Sequence, residues 1–234
     1  MGSALNRQEW NTIAPRYASP VAGPGKPDTL CVPLLPKDLH GHRTLDAGCG
    51  TGWLTRWLAR QGATVIGVDV SDGLIARAQE AEEAAPLGIS YLVRDLMEPL
   101  PFEEGTFDIA ISIWTMMDVE EPLAAIRNIG QTVRVGGQFV FSVVHPCFFR
   151  PRVNSEGTGP DLNTYFDRQR IEWRRIEARD GSDTQVKYRQ FHRTLGDYLN
   201  TLAECGFCLL RLVEPEGTSE LAISCRKVGA EEAT

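Results

Sequence analysis

Residues 44–52 read Thr-Leu-Asp-Ala-Gly-Cys-Gly-Thr-Gly, a short apolar run that ends in an acid and enters three glycines at alternate positions. Gly48, Gly50 and Gly52 carry no Cβ, so a ligand can approach their backbone closely, and Trp53-Leu54-Thr55-Arg56-Trp57-Leu58-Ala59 continues with helical apolar spacing. A strand, a tight turn and a helix start are predicted, and the first N–H groups of that helix are available to a polar ligand. Asp69 closes a second apolar run, Ala63-Thr64-Val65-Ile66-Gly67-Val68, at about the twenty-residue separation from which a carboxylate reaches ribose hydroxyls. This chemistry suits a nucleotide-type cofactor. The dinucleotide fingerprint asks for Gly or Ala three residues after Gly50, where this chain has Trp53, so NAD and FAD are disfavoured.

The elements that must position these residues alternate along the chain. Strands are predicted near 43–47, 63–69, 89–94, 107–113 and 137–144, with helices near 52–61, 71–84 and 120–133. A helix near 195–205 then leads to two apolar runs, 209–213 and 221–224, which a short turn can join as an antiparallel pair at one edge. Alternation of this kind defines an α/β protein with a doubly wound sheet.

Leu45-Asp46-Ala47-Gly48-Cys49-Gly50-Thr51-Gly52, then Val68-Asp69, Arg94-Asp95-Leu96 and Leu100-Pro101-Phe102-Glu103-Glu104-Gly105-Thr106-Phe107-Asp108 come in one order. In that order they resemble a class I S-adenosylmethionine-dependent methyltransferase of the small-molecule branch, firmly over residues 40–144 and more loosely beyond. The resemblance implies a Rossmann-like sheet of seven strands, mostly parallel with an antiparallel edge strand, and a small cap. It also implies roles: the backbone of Gly48, Cys49, Gly50 and Gly52 along the methionine portion, Asp46 on its amine, Asp69 on both ribose hydroxyls and Asp95 on the adenine amine. Val70, Leu96 and, from the N-terminal segment, Tyr17 are further cofactor contacts, while Ile113 and Trp114 pass beneath the sulfur. The product is S-adenosyl-L-homocysteine, and no metal is required.

Four segments follow: a lid helix and Pro-rich linker in 1–40, the cofactor-binding core in 41–144, a cap insertion in 145–194, and the elements completing the sheet in 195–228. Leu5, Trp10, Ile13 and Tyr17 stand at roughly helical spacing, and the prolines and glycines of 19–40 form a linker that lets that lid move. The segment 145–195 inverts the charge of the rest, with ten Lys and Arg against seven Asp and Glu in a chain of net charge −7. Within it, 171–176 and 186–191 flank Asp180-Gly181, a hairpin turn pair, so an antiparallel ribbon is expected over the carboxyl edge of the sheet. Phe148, Phe149, Tyr165, Phe166 and Trp173 are aromatic candidates for an acceptor roof, and Arg168, Arg170, Arg174 and Arg175 for an anionic group on the acceptor; a solvated face is the alternative for these arginines.

Sulfonium methyl transfer draws its rate from alignment and desolvation, and needs a base only where the acceptor holds a proton. Many relatives carry a histidine after the fourth strand, but here Met117 stands at the matching place among the residues lining the acceptor. His145 and His192 remain as candidate bases, the alternative being that each hydrogen-bonds a loop carbonyl. The acceptor class expected is a small molecule, anionic and aromatic, methylated at oxygen or nitrogen rather than carbon in secondary or cofactor metabolism. A nucleic-acid methyltransferase is the main rival, disfavoured by the acidic sequence pI of about 5.2 and by the missing Asn/Asp-Pro-Pro-aromatic tetrapeptide after the fourth strand. A cyclase or regulatory protein that binds the cofactor without transferring methyl stays open.

Residues 1–6 have neither a basic start nor an apolar run, and no stretch has membrane-spanning length, so a cytoplasmic protein without membrane partners is expected, a monomer or homodimer. The six cysteines hold only one paired spacing, Cys205-Gly-Phe-Cys208, which a helix stop at Gly206 explains better than a zinc site does.

Overall fold

The computed structural model describes residues 2–15, 29–148, 162–169, 171–176 and 186–229. Seven strands, β1 (Arg43–Ala47), β2 (Thr64–Asp69), β3 (Ser90–Val93), β4 (Phe107–Ile113), β5 (Val133–Val144), β8 (Phe207–Val213) and β9 (Glu220–Lys227), form one sheet in the order β3-β2-β1-β4-β5-β9-β8. Strands β1 to β5 are parallel neighbours, and β9 runs antiparallel to both β5 and β8. The antiparallel pair does lie at one edge, but the later strand is the inner one, so the outermost strand β8 points the same way as β5.

Both faces of the sheet are covered, which explains the near-continuous apolar runs of its strands. Along β4, Ile109 and Ile111 face a layer built by α2 (Trp53–Arg60) and the short turn η1 (Val32–Leu34), whereas Ala110 faces α4 (Pro122–Thr132) and α6 (Leu195–Glu204). The helix α3 (Asp72–Ala84) packs Ile75 and Ala78 on Tyr91 of β3 and on Cys49. α3 starts at the cap Ser71, whose side chain accepts from Leu74 N, and α6 starts in a capping box between Thr194 and Asp197.

Two sequence expectations shift. β5 begins at Val133, four residues before the expected start, because α4 runs straight into it and the register jumps from Phe107↔Val133 to Ile109↔Gln138. Gly136 and Gly137 sit within this strand, which is irregular at that point. The cap ribbon is present as the antiparallel pair β6 (Ile171–Ile176) and β7 (Val186–Phe191), Ile171 opposite Phe191 and Ile176 opposite Val186. Its turn at Asp180-Gly181 lies outside the described residues, as do Tyr17, residues 19–28 of the linker, Phe149 and Arg170. The N-terminal lid is the helix α1 (Gly2–Ile13), and a short helix α5 (Leu162–Phe166) precedes the ribbon. No helix among the described residues is long and apolar enough to cross a membrane.

Candidate active site

The glycine turn is fastened to β2 by its own backbone: Gly48 N and Cys49 N both donate to Val68 O, at 2.8 and 2.9 Å. Gly48 has φ 82°, and a Cβ there would occupy the space of the Thr115 side chain, so the turn after β4 can lie directly against it. Gly50, with φ 55°, is the opposite case: a Cβ would meet nothing within 4 Å. The loop therefore presents bare backbone to open space. The Cys49 side chain turns the other way, into the core, where it is 4% exposed beside Tyr91.

Two buried carboxylates flank this loop. Asp46, on β1, is 2% exposed and accepts from Thr55 Oγ1 at 2.6 Å. Burial above all, with Asp69 nearby, pushes its pKa up to about 7 although the Thr55 bond pulls it down. Asp69, at the end of β2, is also raised by burial, opposed by the backbone groups it holds: Gly50 N donates to Oδ2 and Ser71 N to Oδ1, each at 2.9 Å. Each oxygen keeps a further lone pair for a hydroxyl. Val70, beside it, is half-buried. Asp95 follows β3 and accepts from Met97 N at 2.8 Å, while Leu96 is buried and its carbonyl accepts from Asn128 Nδ2 at 2.9 Å. Arg94 N donates to Asp69 O at 2.8 Å, which ties the Asp95 turn to the end of β2.

The far side of the site starts where β4 ends. Ile113 is half-buried; Trp114 is 41% exposed in a left-handed conformation, φ 52°, held by its N–H on Ser142 O at 3.2 Å. A non-glycine residue in that region stores strain, as residues at binding sites often do. Next comes η2 (Met116–Asp118), with Met117 and Asp118 each 6% exposed. Gln190 of β7 donates through Nε2 to Asp118 Oδ1 at 3.0 Å. Its neighbour Arg189 donates through Nε to Glu9 of α1 at 2.7 Å, in a largely buried pair, and Tyr188 packs on Trp10 with ring centroids 5.2 Å apart. Asn11 of α1 then accepts from Ser71 Oγ at 2.7 Å and from Gly73 N at 3.2 Å.

These contacts close a circuit. It runs from Gly48 through Thr115 and η2 to β7, from β7 to α1, and from α1 through Ser71 to Asp69 and back to Gly50. Asp118, Gln190, Arg189 and Glu9 have no periodic or motif signal in the sequence; only their places in the fold bring them to the site.

The sequence-predicted bases are placed otherwise than a free base would be. His145 is 2% exposed; its Nδ1 accepts from Cys147 N at 3.1 Å, so Nε2 carries the proton and faces Glu214 Oε1 at 2.6 Å. Both ring nitrogens are thus engaged, and the pair braces the end of β5 against the β8–β9 connection. His192 faces Tyr165 O through Nε2 at 2.7 Å, a backbone carbonyl as in the alternative reading, but one in helix α5 rather than in a loop. Tyr165 accepts from Leu195 N at 3.1 Å through its hydroxyl and thereby holds the start of α6. Phe148 stacks on His145 at 4.4 Å and is otherwise 66% exposed. Arg168 is committed to a forked pair with Asp197, Nη2 to Oδ1 at 2.7 Å. The side chains of Trp173, Arg174 and Arg175 lie outside the described residues. No group of three or more candidate metal ligands occurs among the described residues.

The order of the sheet and the acid-flanked glycine turn at its carboxyl edge define a nucleotide-cofactor protein of the Rossmann-like class. Residues 45–141 match the model of a methyltransferase domain. A solved S-adenosylmethionine-dependent methyltransferase from Mesorhizobium loti is 28% identical with a TM-score of 0.64, covering 84% of this chain and 95% of that one. The magnesium protoporphyrin IX methyltransferase of Synechocystis, solved with bound S-adenosylmethionine, shares the fold at a TM-score of 0.62 and 17% identity over 97% of both chains. Among curated proteins, the ubiquinone biosynthesis O-methyltransferase of Coxiella burnetii is 35% identical over 133 residues, 54% of this chain and 56% of that protein. The match thus spans little more than half the length of that relative. Over residues 45–141 the chain thus matches a methyltransferase domain, and its fold is that of solved S-adenosylmethionine-dependent methyltransferases.

Proposed function

We propose that the chain transfers the methyl group of S-adenosylmethionine to an oxygen of a small-molecule acceptor. The observation that carries this reading is the open face of Gly50 between two buried carboxylates, Asp46 and Asp69. Bare backbone with an acid on either side fits a ligand that offers both hydroxyls and an ammonium, as S-adenosylmethionine does. Asp69 would hold the ribose hydroxyls, Asp46 the methionine amine and Asp95 the adenine amine. When bound, the cofactor supplies a methyl group on a sulfonium, open to attack in line by a nucleophile. The contacts among α1, η2 and β7 would border the site, and Trp114, 41% exposed, would lie beside it. Oxygen as the methylated atom is supported by the names of the curated relatives, which are O-methyltransferases.

Nothing in this arrangement asks for His145 as a base, and alignment within the closed circuit is assigned most of the rate. The net charge of −7 speaks against a polyanionic acceptor such as RNA or DNA. The test is calorimetry of S-adenosylhomocysteine binding to the wild type and to Asp69→Ala, followed by methyl transfer from labelled S-adenosylmethionine to a panel of phenols, amines and RNA. Binding that survives Asp69→Ala unchanged would overturn the cofactor site, and transfer to RNA alone would overturn the acceptor class.

A further inference from the structure

Gln190 is 5% exposed, and among the described residues its side-chain oxygen Oε1 has no hydrogen-bond partner. The orientation of the amide is fixed chemically. Its other end meets Asp118 Oδ1 at 3.0 Å, and an ionised carboxylate can only accept, so the atom facing it must be Nε2. Oε1 is therefore held on the opposite side, as an acceptor that has given up water and gained nothing. A buried carbonyl left in that state is costly, and buried polar atoms without partners in folded proteins call for an explanation. Here the surroundings supply one. Asp118 lies on η2, three residues after the Thr115 that touches the glycine turn, and β7 carries Gln190 between η2 and α1, inside the circuit that closes the site.

We propose that Gln190 selects the methyl acceptor: its Oε1 accepts a hydrogen bond from a hydroxyl or amino group next to the atom that is methylated. Asp118 is the positioning residue that keeps the amide in this orientation. The inference rests on the methyltransferase reading above and deepens it, because it assigns the acceptor two neighbouring polar groups, one to be methylated and one that must carry a hydrogen. A molecule whose second group is a methoxy or a carbonyl would set lone pair against lone pair at Oε1 and be rejected, the strong form of discrimination that a committed buried polar group provides. During transfer the C–S bond breaks with its electron pair staying on sulfur and the new C–O bond forms from the acceptor's lone pair. The hydroxyl proton leaves to solvent, while the neighbouring group keeps its own hydrogen on Gln190.

Catechol, 2-aminophenol and 1,2-dimethoxybenzene are small planar probes that differ in the required way, since the last has no hydrogen to donate in either orientation. Each is titrated by calorimetry into the full chain loaded with S-adenosylhomocysteine. Catechol and 2-aminophenol are expected to bind about ten- to a hundredfold more tightly than 1,2-dimethoxybenzene. Gln190→Leu should remove that preference while S-adenosylhomocysteine affinity stays unchanged, and Gln190→Met, of closer shape, repeats the test if the leucine variant does not fold. Asp118→Asn frees the amide to turn over, so the preference should shrink or reverse in favour of 1,2-dimethoxybenzene. Equal binding of the three probes, no binding of any, or a preference that persists in both Gln190 variants would overturn the proposal. Failure of the wild type to bind S-adenosylhomocysteine would instead overturn the reading beneath it.

Discussion

The two halves of the site are built by different means. On the cofactor side, partners are near in sequence: Asp46 and Thr55 are 9 residues apart, Gly50 and Asp69 19, Ser71 and Asp69 2. On the acceptor side they are remote, 72 residues between Asp118 and Gln190 and 180 between Glu9 and Arg189. The first half is held largely by backbone N–H groups and the second by side chains alone. A backbone-built site depends on the turn geometry that a few glycines permit, whereas a side-chain-built site depends on three separately folded segments arriving together. The cofactor half should therefore tolerate change in the cap, and the acceptor half should be adjustable without loss of cofactor binding.

The change expected to separate the halves most is Asp69→Ala. It removes charge-assisted contacts to the cofactor, each worth roughly 1.5–3 kcal/mol, and strands the N–H groups of Gly50 and Ser71. Calorimetry should show S-adenosylhomocysteine affinity reduced by two or more orders of magnitude, by about 1.4 kcal/mol per tenfold. NAD should bind neither form.

Asp46 gives the next effect, with a pH signature. Its folded-state pKa of about 7 lies above its ordinary 3.8, so the folded protein holds this proton more tightly than the unfolded chain does. Stability from this group is full below the unfolded value and is lost as pH rises toward 7. In the cofactor-free protein, Asp46→Asn should be the more stable form at pH 8, by on the order of 2–4 kcal/mol, with the gap closing toward pH 4 in denaturant titrations. The same variant should bind S-adenosylhomocysteine weakly. The wild type should lose affinity as pH falls below about 7, where the carboxylate that pairs with the cofactor's amine becomes neutral.

In the acceptor half, Arg189→Met leaves Glu9 partly buried without its partner, and a loss of about 1–3 kcal/mol in stability is expected. KM for the acceptor should rise more than that for the cofactor; an equal rise would mean that α1 and β7 serve both halves alike. His145→Ala should cost about 1–3 kcal/mol in denaturation experiments, because Glu214 and Cys147 N lose their partner. The pH profile of kcat should keep its shape, and a pH-dependent loss would restore His145 as a base. Smallest of all, Arg168→Ala breaks a pair whose Arg168 side is exposed and whose Asp197 side is largely buried; a small drop in melting temperature and no change in turnover are expected.

The same contrast decides what could be read from the chain. The sheet, the glycine turn and the places of Asp46, Asp69 and Asp95 beside strand ends were legible because apolar period and glycine spacing are local signals that survive into the fold. The start of β5 was placed four residues late because α4 runs straight into the strand, whose first stretch is irregular in register. The histidines were legible as residue types but not as roles, since only the structure shows Cys147 N on the ring of His145. Arg189 was counted in the cap's charge but not singled out. Asp118 stood in the run after the fourth strand and drew no attention, because a carboxylate beside two methionines has no meaning until β7 brings Gln190 to it.

The inner position of β9 sets the order in which this sheet can be completed. Strand β8 pairs with β9 alone, so it has no place in the sheet until the later segment Glu220–Lys227 has docked on β5. That docking joins residues as far apart as Gln138 and Arg226, a long loop to close, and non-local pairings of this kind fold slowly. Until it happens, the edge of β5 with Phe139 and Phe141 stands unpaired, and β8 carries Leu209 and Leu210, which remain about half exposed even in the finished protein. Refolding from denaturant should pass through a species with an open apolar edge, and its yield should fall as protein concentration rises, through intermolecular strand pairing at that edge.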